Sequence, residues 1–178
     1  MSKKNNLVFI ALNIVSWLIF VGLCIEAGAL IVNFFFSLYK PEIIHHLYNK
    51  LDLSEMYERS KMAYFGMYSF ILFIAILKAV LFYIVILLVS KFDLSKPFNS
   101  FVSRKISQIS YYTLSIGLLS YIARQSAKNL QHYGFVTDNL NQFWGDSQAY
   151  ILMAAVIYVI ATIFKKGLEI QNENDLTV

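Results

Sequence analysis

Cysteine, proline and charge are all scarce in this sequence. Of its 178 residues, one is cysteine and two are proline, and only 15% are charged. The single cysteine, Cys24, excludes an intramolecular disulfide and a cysteine-ligated metal cluster. So few charged side chains leave too little polar surface to cover a soluble globule of this size. The composition therefore favours a small domain that lies in lipid.

Hydrophobic residues make up 58% of the chain and gather in four long runs. Because roughly 20 apolar residues cross a hydrocarbon core as a helix, these runs predict transmembrane helices. The predicted spans are 7–38, 62–90, 106–128 and 146–164, separated by outer loops 39–61 and 129–145, an inner loop 91–105, and a tail 165–178. The predicted fold is one all-α integral membrane domain over residues 1–178, a bundle of four transmembrane helices.

The distribution of lysine and arginine predicts the orientation of the bundle. The segments on the side of the amino terminus carry more of these residues than the two outer loops. By the positive-inside rule, both termini are then cytoplasmic.

Phe143 and Trp144 are expected at the membrane interface beside the fourth span, where aromatic rings are enriched. The basic residues flank the spans and form no single patch, so we predict no direct contact with nucleic acid.

Three ionisable residues, Glu26, Lys78 and Arg124, lie in or at the edge of the apolar runs. Such residues usually face the interior of a bundle and find partners there. Glu26 and Arg124 both stand about 28 Å from the inner end of their helices, at ~1.5 Å per residue. We predict that they meet and that Lys78 reaches them. Asn33 lies on the same face as Glu26 and belongs to the same group. The group would form a structural ion cluster, a polar ligand pocket or a path for ions.

Stripes of small or polar residues run along the first and third predicted spans. The third span carries Ser110, Thr113, Gly117 and Ser120 at spacings of three and four residues. Small side chains let membrane helices approach closely. We therefore expect this stripe to face the first span, where Gly22 and Ala29 lie beside Glu26.

Residues suited to catalysis are missing from the pattern. The serines and threonines of the third span have no nearby histidine and aspartate arrangement, and the sequence has no glycine-rich phosphate loop. No histidine lies inside a predicted span, which makes haem ligation between helices unfavourable. We expect a protein that is not an enzyme, with no cofactor and no metal site.

Two cytoplasmic patches carry a resemblance to a known family. The first consists of Lys96, Pro97, Phe98 and Asn99, followed by Arg104 and Ile106; the second is the ending IFKKGLEIQNENDLTV, from Ile163 to Val178. With the four-span layout, they resemble a family of small bacterial four-span membrane proteins of unknown function. Members are often encoded beside a small helix-turn-helix regulator. The resemblance implies a multi-pass protein of the bacterial inner (cytoplasmic) membrane with a cytoplasmic protein partner.

The same two patches supply the candidate partner-binding residues. Pro97 is expected to open a basic amphipathic entry to the third helix, and Gly167 is expected to end the last helix before an acidic, apolar tail. The candidates are Pro97, Phe98, Arg104 and Lys105 in the loop and Glu169, Glu173, Asp175, Leu176 and Val178 in the tail. We predict that loop and tail contact each other in one state and expose the tail to a partner in another.

Two functional hypotheses follow from these features. The first is a membrane interaction or signalling protein that holds a cytoplasmic partner through its inner loop and acidic tail. The alternative is a small accessory, lipid-binding or transport subunit with a polar pocket around the buried charges. Membrane lipids are partners in both, and the sequence leaves open whether the chain assembles with itself or with another protein.

Overall fold

Four long helices form the body of the molecule in the computed structural model, which describes residues 3–39, 51–93 and 97–176. They are α1 (Lys3–Tyr39), α3 (Lys61–Ser90), α4 (Ser100–His132) and α6 (Ser147–Leu176). The short helix α2 (Ser54–Arg59) precedes α3, and a 3-10 turn (Asp138–Leu140) and the short helix α5 (Asn141–Trp144) connect α4 to α6. All regular elements within the described ranges are helical, which confirms the predicted all-α class.

Three helical stretches among the described residues are long and apolar enough to cross a membrane. They are Leu7–Tyr39, Lys61–Ser90 and Asp138–Glu173. α4 has a similar length but carries many serine, threonine and glutamine side chains along its first half. Because α4 packs between α3 and α6, much of this polar surface is covered by protein. The structure therefore has the apolar helices expected of a membrane protein.

The long helices pack in chain order. α1 packs against α3, α3 against α4, and α4 against α6, whereas α1 and α6 make little or no contact along their described lengths. The short helices α2 and α5 cover the end of the bundle where α3 and α6 begin, and we refer to it as the α5 end. The opposite end, where residues 91–99 connect α3 to α4, is the loop end.

Two hydrophobic cores fill the two ends of the bundle. The core at the α5 end joins α1, α3, α4 and α5, and within it the hydroxyl of Tyr68 donates to the carbonyl of Leu30 at 3.0 Å. Phe143 and Trp144, expected at the membrane interface, are instead buried in this core, at 6% and 2% exposure. The loop between α4 and α6 folds back over the bundle and carries both rings inward. The smaller core at the loop end centres on Val102, Ile106 and Ala161.

The ends of α4 and α6 differ from the expected positions. α4 begins at Ser100, because the Asn99 side chain accepts a hydrogen bond from the Val102 amide at 2.9 Å, and Pro97 lies before this cap. α6 does not end at Gly167 but continues to Leu176. A glycine inside a helix costs only about 1 kcal/mol relative to alanine, and here its bare surface is covered by the ring of Phe98.

Candidate functional site

A cavity of about 520 Å³ lies between the two cores, at the middle of the bundle. All four long helices contribute to its wall: Ile19 and Leu23 from α1, Val85 from α3, Ile109 from α4 and Ile157 from α6 are examples. Of the described residues that line it, only Lys78 is charged. The structure therefore places one of the three predicted interior charges in a largely apolar chamber.

The polar side chains of the cavity gather at one end. Lys78 is the first lining residue on α3 and Tyr150 the first on α6, and both helices start at the α5 end. Thr113 is the last lining residue on α4, which runs the opposite way. Its hydroxyl donates to the Ile109 carbonyl at 2.7 Å. The cavity is therefore polar towards the α5 end and apolar towards the loop end.

The ammonium group of Lys78 is held only by weak contacts. Its Nζ atom donates to the carbonyl of Phe143 at 3.5 Å and lies 6.0 Å from the centre of the Tyr150 ring. A charge-assisted hydrogen bond to an acceptor is normally about 2.7–2.9 Å long. No salt bridge between described residues involves Lys78. A cation with contacts this long in an apolar chamber retains much of its capacity to bind an anion.

Glu26 and Arg124 are not joined by a salt bridge in the described part of the chain. Both side chains are half-buried, as is Asn33. Glu26 lies three residues beyond Leu23, on the face of α1 that carries the cavity wall, but it does not line the cavity itself. The structure thus shows no salt bridge among these three described residues and places only Lys78 in a chamber.

The small-residue stripe of α4 faces α6 and not α1, so this expectation was wrong. The Ser110 hydroxyl donates to the Ala154 carbonyl at 3.0 Å, a bond that requires close backbones. A Cβ atom at Gly117 would lie 3.0 Å from the backbone nitrogen of Ile151 and 3.2 Å from the carbonyl oxygen of Ser147. The stripe does promote close approach, as small residues do between membrane helices, but with the last helix.

The second group of predicted residues lies at the loop end. The Phe98 ring packs against the Phe164 ring with centroids 5.3 Å apart, and a Cβ atom at Gly167 would lie 2.7 Å from Phe98 Cδ1. The loop therefore touches the part of α6 that extends beyond its apolar segment. We refer to residues 97–105 together with residues 167–173 as the loop-tail surface. Pro97 is half-buried within it.

The loop-tail surface also carries charged residues. Arg104 is exposed, and the Lys105 ammonium donates to Gln108 Oε1 at 2.9 Å. Glu169 pairs with Lys166 on its own helix, with Nζ and Oε2 3.0 Å apart. Glu173 lies one turn further along α6. The loop-tail surface thus combines an exposed aromatic ring with charges of both signs.

Part of the predicted tail falls at the limit of the described chain. Asp175 and Leu176 form the end of α6, and Val178 lies outside the described residues. The lysine before Pro97, Lys96, also lies outside them.

Sequence patterns predict neither the cavity nor the place of Thr113 and Tyr150 in its wall. Thr113 belongs to the small-residue stripe, and Tyr150 lies near the start of the fourth predicted span. Whether such residues enclose a cavity depends on how their side-chain volumes fill the space between helices, and the spacing of residues along one helix does not contain this information.

Comparison with known proteins gives a family but no activity. Residues 46–178 match the model of a protein family to which no function is assigned, and this region contains α2 to α6. No curated protein and no solved structure matches the chain.

Proposed function

The chain belongs to the family described as "Protein of unknown function (DUF2975)", and from that premise we propose that it is a membrane interaction protein that binds a cytoplasmic protein partner on its loop-tail surface. Membership agrees with the predicted resemblance to a family of unknown function. The family description names no activity, so the proposal is carried by one observation, the packing of Phe98 against Phe164 and Gly167.

This contact supports a binding surface because it unites two segments that are far apart in the sequence. It leaves Phe98 36% exposed, and Arg104 of the same loop-tail surface is also exposed. Aromatic residues and arginine are enriched in protein interfaces and among their energetic hot spots. The extension of α6 from Gly167 to Leu176 adds about 15 Å of helix at ~1.5 Å per residue. It offers a partner a helical face that projects from the end of the bundle.

The same proposal includes the topology. α4 also crosses the membrane, as the third of four spans, between α3 and α6, and the loop end faces the cytoplasm. The basic residues at this end, Lys91, Arg104, Lys105, Lys165 and Lys166, favour that orientation. The resemblance to small bacterial membrane proteins supports a place in the bacterial inner membrane and a small helix-turn-helix regulator as the partner. Binding, and not catalysis, is the proposed activity.

Reporter fusions test the proposed orientation. We expect alkaline phosphatase, which is active only outside the cytoplasm, to be inactive when fused after Gln171 and active when inserted near Asn49. A green fluorescent protein fused at the same two sites is the matched control and should show the opposite pattern. Phosphatase activity after Gln171 would place the loop-tail surface outside the cell and contradict a cytoplasmic partner.

Partner capture tests the loop-tail surface directly. The full-length chain, extracted in mild detergent, is compared by quantitative mass spectrometry with a chain truncated after Gly167 and with Phe98→Ala. We expect both changes to reduce recovery of the partner about tenfold or more, as loss of an interface hot spot does. Phe73→Ala is the matched control, because Phe73 is a 59% exposed phenylalanine on α3, away from the loop end.

The control variant should recover as much partner as the unaltered chain. All variants are first shown to elute as folded protein in size-exclusion chromatography. If the truncated chain and Phe98→Ala recover every protein that the unaltered chain recovers, the loop-tail surface is not the binding site.

A further inference from the structure

The cavity around Lys78 has the character of a binding site for an amphiphile. We propose that it binds a single-chain anionic amphiphile of the fatty-acid class, with the carboxylate at Lys78 and the alkyl chain directed towards the loop end. This inference is independent of the partner proposed for the loop-tail surface, which lies at the end of the bundle.

The charge of the cavity selects the head group. Lys78 is the only charged residue among the described residues of its wall, and its contact with the Phe143 carbonyl is long, at 3.5 Å. An ammonium group removed from water is costly unless an anion or several acceptors surround it. Glu26 lies one turn beyond the cavity wall and forms no salt bridge with Lys78. A carboxylate brought by a ligand would therefore supply the missing counter-charge.

The apolar end of the cavity fits an alkyl chain. From Lys78 to Val85 the wall extends about 10 Å along α3, at ~1.5 Å per residue. The volume of about 520 Å³ lies within the usual range of small-molecule sites, about 300–1,000 Å³. Val85, Ile109 and Ile157 line this end and carry no polar side-chain atoms. A ligand with an anionic head and a linear apolar chain matches both ends of the chamber.

The cavity also has a side through which a membrane ligand can enter. Two of its lining residues, Ile19 on α1 and Met153 on α6, are 40% and 45% exposed. They lie on α1 and α6, which make little or no contact with each other along their described lengths. The chamber therefore communicates with the surface between α1 and α6, which faces lipid if the bundle spans a membrane.

The depth of Lys78 favours a fatty acid over a phospholipid. Along α3, Lys78 lies about 25 Å from Lys61 and about 18 Å from Ser90, well away from both ends of the helix. A phospholipid keeps its charged head at the membrane surface and would not reach this depth. A carboxylic acid can travel through the apolar region in its protonated, neutral form, at a lower cost than a permanently charged phosphate ester.

Direct binding of dodecanoate tests the proposal. The full-length protein is placed in phosphatidylcholine nanodiscs, and bound radiolabelled dodecanoate is measured by scintillation proximity. We expect saturable binding that Lys78→Met weakens about tenfold or more, because a charge-assisted contact is lost. Lys78→Arg should stay within about threefold of the unaltered protein, since it keeps the charge. Lys61→Met, the same substitution at an exposed lysine of α3, should leave affinity unchanged.

Competition on the unaltered protein separates the head-group classes without any substitution. Unlabelled dodecanoate should displace the label at least about tenfold more effectively than dodecanol, which has the same chain and no charge. Unlabelled dodecanoate should also displace the label more effectively than dodecyl phosphate does. Val85→Phe, which fills the apolar end, should weaken dodecanoate binding while leaving the thermal stability of the protein intact.

Three results would overturn the proposal. Equal affinity of Lys78→Met and the unaltered protein would remove the role of the ammonium group. Equal displacement by dodecanol and dodecanoate would show that the cavity binds apolar chains without selecting for the carboxylate. Stronger displacement by dodecyl phosphate would show that the site prefers a phosphate head group to a carboxylate. None of these outcomes bears on partner capture at the loop-tail surface.

Discussion

Leucine at position 117 is expected to force α4 and α6 apart and to lower the free energy of unfolding by about 3 kcal/mol. Even a Cβ atom at this glycine would lie 2.7 Å from Ile151 Cγ1 and 3.0 Å from the Ile151 backbone nitrogen. A side chain can rotate out of the way, but a backbone atom moves only if its helix moves. Titration with a denaturing detergent, followed by tryptophan fluorescence, measures the loss of stability in Gly117→Leu.

Gly22→Leu provides the matched control for this substitution. Gly22 lies on α1, and a Cβ atom there would meet no atom within 4 Å. The leucine therefore enters open space, and we expect no loss of stability and a gain of up to about 1 kcal/mol, because leucine favours a helix more than glycine does. If both glycine variants unfold at the same detergent concentration as the unaltered protein, α4 and α6 are not as close as the structure shows.

Truncation of Trp144 to alanine is expected to cost about 3–5 kcal/mol, the range for a large aromatic side chain removed from a core. Trp144 is 2% exposed and packs in the core at the α5 end. Its indole nitrogen has no hydrogen-bond acceptor among the described residues. Trp144→Phe therefore loses packing volume without losing a hydrogen bond, and it should cost clearly less than alanine. The same detergent titration, followed by circular dichroism, measures both variants.

Trp17→Ala is the control for the tryptophan series. Trp17 is 48% exposed on α1, so its removal leaves no enclosed hole, and we expect a loss of less than about 1 kcal/mol. Similar stabilities of Trp144→Ala and Trp17→Ala would contradict the burial of Trp144. They would instead support the sequence-based prediction that Trp144 lies at the membrane interface.

The helical class could be predicted from the sequence because lipid leaves the chain few alternatives. Backbone amides and carbonyls in a bilayer must find partners within the protein, which a helix provides along its whole length. A long uninterrupted apolar run such as that of α3 therefore specifies its own secondary structure. The sequence does not specify in the same way which helices are neighbours. Gly117 and Ser110 marked a close contact, but nothing in their spacing indicates whether α1 or α6 supplies it.

The misjudged end of α6 has a similar cause. Gly167 is a common residue just after a helix, and two lysines before it strengthened that interpretation. The deciding factor is Phe98, which lies 69 positions earlier and fills the space beside the glycine. A contact between residues so distant in sequence becomes visible only when the loop and the helix are seen together. The same holds for the cavity, whose wall is assembled from four helices.

The order in which the helices pack has a consequence for biosynthesis. Each long helix has the next one along the chain as a principal neighbour, from α1 through α3 and α4 to α6. A helix leaving the ribosome therefore meets its partner as soon as the following helix is made, and none has to be threaded between helices already in place. Such local contacts form quickly. Lys78 enters with the second long helix, two long helices before Tyr150 and Met153 are synthesised. The chamber around it is thus completed only when α6, the last of the four long helices, is in place.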